Sequence, residues 1–479
     1  VAEAVRCRID FKYALAMELD DPGFHHSVLS DFRDRLAAAG RADELLDLVL
    51  ERLKTAGLVK ERGRQRTDST YILAAARDLT RLELVAEAVR ATVEELARTA
   101  PEILEGLVTP EWGERYGRPV RLCSQPSHPV TRLTQAGADA AALLSQISHH
   151  SPSLAAGPQA EALRQIMVQQ FVTDARGRLR PRREEDGFPP AGMKICSPYD
   201  LNARFVLRGS TRWTGYLAHV TETCDPAPGT VNVITDVATT VSSADSRALP
   251  GIHIRLQRRG LLPAQHLVDG GCTSVVLLDT AARDHEVELV GPLPAGGPWQ
   301  RKEKTGFARE DFTIDFERRR VTCPAGKVTG NWVQAPAMAP YLVARFDARQ
   351  CDPCSVRSSC TRGTSARTIT FLPHHLHDLQ ARHRAAQDTP EWKRLYGVRS
   401  GVEGTVNECV NGHQMRRCRY HGLDKTHVQH VLTAIAINIE RLSDQEPDGS
   451  SYRPRPPTAF QQYLDAHGLP RPLWWRQGK

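Results

Sequence analysis

Beyond residue 200 the apolar residues change their period, and that change limits the folds open to the chain. Residues 215–221 and 231–237 read as neighbouring strands joined by a Pro/Gly turn. A helical segment at 245–259 leads to a short strand at 266–269, which stops at a carboxylate and two glycines. A helix-length segment then precedes a further strand at 287–290. The first strand lies far upstream, where residues 64–73 pass through Thr67-Asp68-Ser69-Thr70 into Tyr71-Ile72-Leu73. Three antiparallel strands followed by alternating helix and strand imply an α/β class, a mixed five-stranded sheet flanked by helices.

The rest of the chain divides around this core. Residues 1–60 read as a helical N-terminal domain, with Val28, Leu29, Phe32 and Leu36 striped after a Ser27 cap. Leu45, Leu46, Val49, Leu50 and Leu53 form a second stripe, ended by Gly57. A small helical domain here is expected to read DNA. The chain starts at Val1 inside a helical pattern, which we read as a truncated reading frame. Residues 61–99 begin the core and 100–200 form a helical insertion. The core continues over 201–296 and is interrupted by a polar, Cys-containing insertion at 297–387. Helices return over 388–443, with Val428, Val431, Leu432, Ile435, Ile439 and Leu442 as a buried stripe. Residues 444–479 are a Pro/Arg-rich tail, expected to be loosely ordered.

A hydrophobic fraction of 41% supports packed cores and excludes a disordered chain. No run approaches the roughly 18 apolar residues that a membrane span needs, and the charged N-terminus is no secretory leader. A cytoplasmic, nucleoid-associated protein is the expectation. Net charge is +7, with five arginines between Arg176 and Arg183 and four basic residues from Lys60 to Arg66. Such clusters suit a phosphate backbone, or equally a solvated arginine face.

Phosphoryl transfer on DNA uses two divalent ions roughly 3.5–4 Å apart, held by a few carboxylates from separate elements. Asp68, Asp269 and Glu403 have that placement. Asp68 could instead cap the helix that follows, and Asp269 could be an ordinary turn residue. Local sequence decides between these readings. Arg66-Thr67-Asp68-Ser69-Thr70, His266-Leu267-Val268-Asp269-Gly270-Gly271 and Gly401-Val402-Glu403-Gly404-Thr405 resemble the three catalytic boxes of DDE transposases from bacterial insertion sequences. Tyr396, Arg399 and Glu403 match the Tyr-Arg-Glu signature of one large group of them. The block from Arg416 to His427 resembles the basic stretch that follows the glutamate, and the segment from Trp213 to Asp225 and the region from Arg8 to Tyr13 are similar as well.

The resemblance implies an RNase H-like catalytic core and a Mg²⁺ (or Mn²⁺) centre of Asp68, Asp269 and Glu403. It implies strand cleavage at the element ends followed by strand transfer into target DNA. DNA contacts are expected from Tyr396, Arg399, Arg416, Arg417, Arg419 and Lys425. Partners are the terminal inverted repeats and target DNA, bound by a dimer, with no membrane. Val410 stands where the family has lysine, with Arg416 or Arg417 as the substitute. That change and the truncation motivate the alternative of a catalytically inactive, transposase-derived DNA-binding protein.

Four of the eleven cysteines, Cys323, Cys351, Cys354 and Cys360, crowd one short polar stretch. Zinc prefers four thiolates, and a C-x2-C loop offers two with little strain. A polar insertion with little core of its own would gain folding energy from such a clip. A structural zinc site is therefore expected, against the alternative of free cysteines in a loop.

Overall fold

The computed structural model describes residues 1–38, 40–119, 127–150, 157–225, 230–241, 245–293, 299–303, 305–337, 339–444 and 457–470. Its centre is a sheet of β1 (Arg64–Leu73), β2 (Arg204–Arg208), β3 (Thr211–Thr223), β4 (Ile234–Thr240), β5 (Gln265–Leu267) and β6 (Glu288–Val290). The order is β2-β3-β1-β5-β6, with β4 also paired to β3. β1 runs antiparallel to β3 from Gln65↔Thr223 to Leu73↔Gly215, and parallel to β5, which is itself parallel to β6. The mixed α/β sheet expected from the sequence is present, with one strand more than expected. That strand, β2, exposes Phe205 and Leu207 and so lacks a clean alternation.

β3 is buried continuously from Gly215 to Glu222, as a strand covered on both faces must be. Gly215 has φ of 155°, and a Cβ there would stand 2.0 Å from the Ile72 carbonyl oxygen. No other residue fits that approach of β3 to β1. β5 is short because the chain turns at Asp269. The ladder extends one residue further, through Val268 N–H to Val290 O at 2.9 Å.

The N-terminal helices His26–Ala38 and Ala42–Thr55 pack against the long helix Leu423–Ser443. Leu46, Leu50 and Leu53 share one core with Ile252, Leu256, Val268, Leu289, Val428 and Val431. Buried Arg259 ties the two regions, pairing with Asp43, Asp47 and Asp236 at 3.2, 2.5 and 2.5 Å. A second core joins helix Arg81–Thr99 to helices Pro129–His150 and Pro158–Gln170. Thr80 and Glu83 form a capping box at its start. Asp68 lies in the middle of β1, so the capping alternative for it is excluded.

Several packing expectations need correction. Val28 and Phe32 are half-exposed and helix His26–Ala38 begins at or before Ser27, so the expected Ser27-capped stripe does not form. Leu432 and Ile439 are exposed on a helix whose buried line is Val428, Val431, Ala434 and Ile437. The Cys-containing insertion has a core of its own, in which Phe312, Phe346 and Phe371 are buried and Phe316 and Trp332 pack beside them. Within the tail, Ala459–Ala466 is a helix capped by Thr458, while residues 445–456 and 471–479 lie outside the described residues. Among the described residues no helix is long and apolar enough to cross a membrane.

Candidate active site

Three elements deliver the acidic residues. Asp68 sits at the centre of β1 opposite Val220, Asp269 follows β5, and Glu403 lies in the first turn of helix Val402–Asn407. Side chains alternate along a strand, so Arg66 and Asp68 project from the same face of β1. Arg66 reaches across that face to the Glu403 segment. Its Nε donates to Glu222 Oε1 at 2.7 Å and its Nη1 to Val398 O at 2.7 Å. A Cβ on Gly401 would stand 2.1 Å from Arg66 Nη1, so the glycine admits the guanidinium. Fully buried Glu222 completes the dock, accepting from Thr405 Oγ1 at 2.6 Å and Arg441 Nη1 at 2.9 Å. The sequence places Arg66 in a basic run and in the first of the three boxes, but gives neither it nor Glu222 this role. A charged residue inside a doubly covered strand was the available signal for Glu222.

Arg399 bridges two of the three carboxylates, with Nη2 2.5 Å from Asp68 Oδ1 and Nη1 2.8 Å from Glu403 Oε1. Burial raises the Asp68 carboxyl above its ordinary range. Arg399 and the Ser69 N–H oppose that shift, and the charges of Asp269 and Glu403 add to it. Burial likewise raises the Tyr396 hydroxyl, which feels Arg399 and all three carboxylates. Asp269 Oδ1 accepts the Cys272 N–H at 3.0 Å. The acidic residues thus lie in one another's field, with Asp68 mostly buried and Glu403 exposed at the rim. Among the described residues, the group with three possible ligand atoms mutually within 4.8 Å is Glu408, His413 and Glu440. The three carboxylates of the centre are spaced more widely, with the Arg399 guanidinium between two of them. A hard-oxygen donor set, with like charges pushing one acid up and a cation already drawn in, fits a divalent ion.

The residues expected to contact DNA divide into two sets. Arg416 is an internal clamp on β1. It donates to Thr70 Oγ1 at 2.8 Å and to the Tyr71 carbonyl, lies 3.8 Å over the Tyr71 ring, and accepts the Leu73 N–H. Lys425 pairs with Asp34 at 3.1 Å, and Tyr396 stacks on Trp392 at 4.9 Å. Arg417 and Arg419 are exposed. Val410 is buried in the π-helical turn Glu408–Gly412, a position that could not carry a solvated lysine without rearrangement. Much of the basic runs also serves the fold. Arg180 chelates Asp186 with two bonds of 2.6 Å, and Arg62 donates to Glu286 O at 2.6 Å.

Cys323, Cys351, Cys354 and Cys360 line one cavity of about 30 Å³, roofed by Phe307 and Phe346. None of the four is in a disulfide, and no three of their sulfurs lie mutually within 4.8 Å. Cys323 Sγ accepts the Lys327 N–H at 3.3 Å. Burial raises the Cys360 thiol, Arg367 opposes this, and the other three sulfurs act on it in turn.

Residues 322–443 match the family model of the transposase DDE domain. The matched stretch runs from the cysteine insertion to the end of helix Leu423–Ser443 and contains Tyr396, Arg399 and Glu403. A comparison with curated proteins returned no match.

Proposed function

We propose that this chain is a DDE transposase that cuts DNA at the ends of a bacterial insertion sequence and joins the freed 3′ ends to target DNA. The observation that carries this reading is the Arg399 bridge between Asp68 and Glu403, with Asp269 in the same field. The strand order supports an RNase H-like core, because the first strand has one antiparallel and one parallel neighbour and Asp68 stands at its middle.

Asp68, Asp269 and Glu403 would hold Mg²⁺ or Mn²⁺. Bound in pairs, such ions activate an attacking oxygen and stabilise a leaving one. The chain's own residues supply the rest. Arg66 and Glu222 hold the Glu403 helix against β1, fixing the third carboxylate relative to the first. Arg399 pairs with both Asp68 and Glu403 in the free protein, where its single charge offsets one of their two. With another cation on those oxygens, its guanidinium would be free to grip a phosphate with two bonds. Exposed Arg417 and Arg419 would follow the DNA backbone, and Tyr396 would pack beside the substrate strand. The four clustered thiols would hold a structural zinc. Synapsis of two element ends would need a dimer on DNA.

Incubation with labelled element ends and Mg²⁺ tests the reading. Cleaved strands are expected from the wild-type chain and none from Asp68→Ala. Intact DNA from the wild-type chain, or equal cleavage by both, would overturn it.

A further inference from the structure

The chain carries one more buried acid beside this centre. Asp245 opens the short turn Asp245–Arg247 after β4 and is 3% exposed. The turn uses its backbone carbonyl, which accepts the Ala248 N–H at 3.0 Å, so the side chain is not needed to cap it. Oδ2 pairs with Arg208 Nη2 at 2.7 Å, whereas Oδ1 is buried with no partner among the described residues. A buried carboxylate oxygen without a donor is rare in a folded chain and calls for an explanation.

Its position supplies one. A Cβ on Gly271 would stand 3.1 Å from Asp245 Oδ2, 3.3 Å from Asp269 Oδ1 and 3.4 Å from Arg208 Nη2. Asp245 and Asp269 therefore flank the same glycine. The Cys272 thiol, raised by burial, feels Asp269, Asp245 and Asp68 together. Fully buried His219 adds a second unpartnered atom, Nδ1, and lies in the field of Asp245, Asp236 and Asp269. Burial lowers the pKa of that ring, against the pull of the three carboxylates, and so disfavours a compensating positive charge there. Half-exposed Arg208 is the cation paired with Asp245, and it engages one oxygen.

We propose that Asp245 is a fourth carboxylate of the Asp68–Asp269–Glu403 centre, its carboxyl group, of which Oδ2 lies beside Asp269 and Arg208, serving a divalent cation held next to Asp269. The proposal rests on the functional reading above. A hard anionic oxygen next to Asp269 adds one ligand of the type that Mg²⁺ and Mn²⁺ prefer. It also increases the local negative charge on which their affinity depends.

Mn²⁺ binding to the full-length chain, followed by electron paramagnetic resonance without DNA, tests this. Asp245→Asn, with unchanged circular dichroism, should weaken Mn²⁺ binding about ten- to a hundredfold, the range typical when a supporting metal-site group is removed. Arg208→Gln, at a half-exposed position, removes the competing cation and should tighten binding severalfold. A folded Asp245→Asn that binds like wild type overturns the proposal. If that variant does not fold, unchanged or weaker binding by Arg208→Gln overturns it. Asp269→Asn separates the two levels. Binding lost there but kept in Asp245→Asn removes only the fourth carboxylate, whereas binding absent in the wild type removes the functional reading as well.

Discussion

Arg399 Nη2 lies 2.5 Å from Asp68 Oδ1, joining the middle of the first strand to the turn before the Glu403 helix. The same guanidinium holds Glu403 at 2.8 Å. In the free protein, one side chain thus occupies the place between two carboxylates where a metal-dependent enzyme needs a cation.

Arg399→Gln should therefore destabilise the metal-free chain. Removing one partner of a buried ion pair costs about 3–5 kcal/mol, and the exposure of Glu403 brings the expected loss nearer 1–3 kcal/mol. Urea denaturation in EDTA measures it. Added Mg²⁺ should restore most of the difference, because the ion replaces the missing charge. A loss that is the same with and without Mg²⁺ would place the role of Arg399 elsewhere.

Asp68 gives a pH dependence whose sign follows from its raised carboxyl. The folded state holds the proton to higher pH than the unfolded chain does. The contribution to stability is present below the ordinary aspartate range and is lost as pH rises through the folded value. Asp68→Asn should accordingly be more stable than wild type at neutral pH without divalent ions, with the gap closing in acid. Thermal melts across that range check the trend, and a variant less stable at every pH would contradict it.

Much of this arrangement was legible in the sequence, and the limits have physical causes. The strand carrying Asp68 could be placed as a polar, extended segment leading into Tyr71-Ile72-Leu73, and the one before Asp269 as a short run stopped by a carboxylate and two glycines. β2 escaped because it carries apolar Phe205 and Leu207 on its exposed face and only Val206 on its buried one, so apolar and polar residues do not alternate along it. The aromatic core of the cysteine insertion escaped because Phe312, Phe346 and Phe371 are dispersed among polar residues and meet only in space. Arg416 shows the opposite failure. Its basic block suggested phosphate, yet its neighbours across the fold, Thr70 and Tyr71, claim it. Composition reports charge, and only the fold reports which charges are already engaged.

Glu222 is the second test of the geometry. It accepts from Arg66, Thr405 and Arg441 with no exposure to water. Glu222→Gln keeps the volume but leaves two arginines without their shared anion, for an expected loss of about 3–5 kcal/mol in urea denaturation. Gly401→Ala acts on the same dock by driving a methyl into the Arg66 guanidinium. Overpacking of this kind costs about 1–3 kcal/mol. Near-neutral stability in both variants would mean that the Glu403 helix is held by other contacts.

The thiol cavity predicts a metal stoichiometry. Protein purified without chelator should carry one zinc per chain by elemental analysis, and Cys354→Ser should lose it and lower the melting temperature. Zinc-free protein with unchanged stability would leave the aromatic core as the sole support of the insertion.

The convergence of Asp68, Asp269 and Glu403 is tested most directly by iron-directed backbone cleavage. Fe²⁺ with ascorbate, substituted for Mg²⁺ in the full-length chain, generates radicals that cut the nearest peptide segments. Cuts beside residues 68, 269 and 403 together, suppressed by excess Mg²⁺, are the expected result. Cuts confined to the neighbourhood of Glu408, His413 and Glu440, or missing from any one of the three segments, would contradict a shared metal centre.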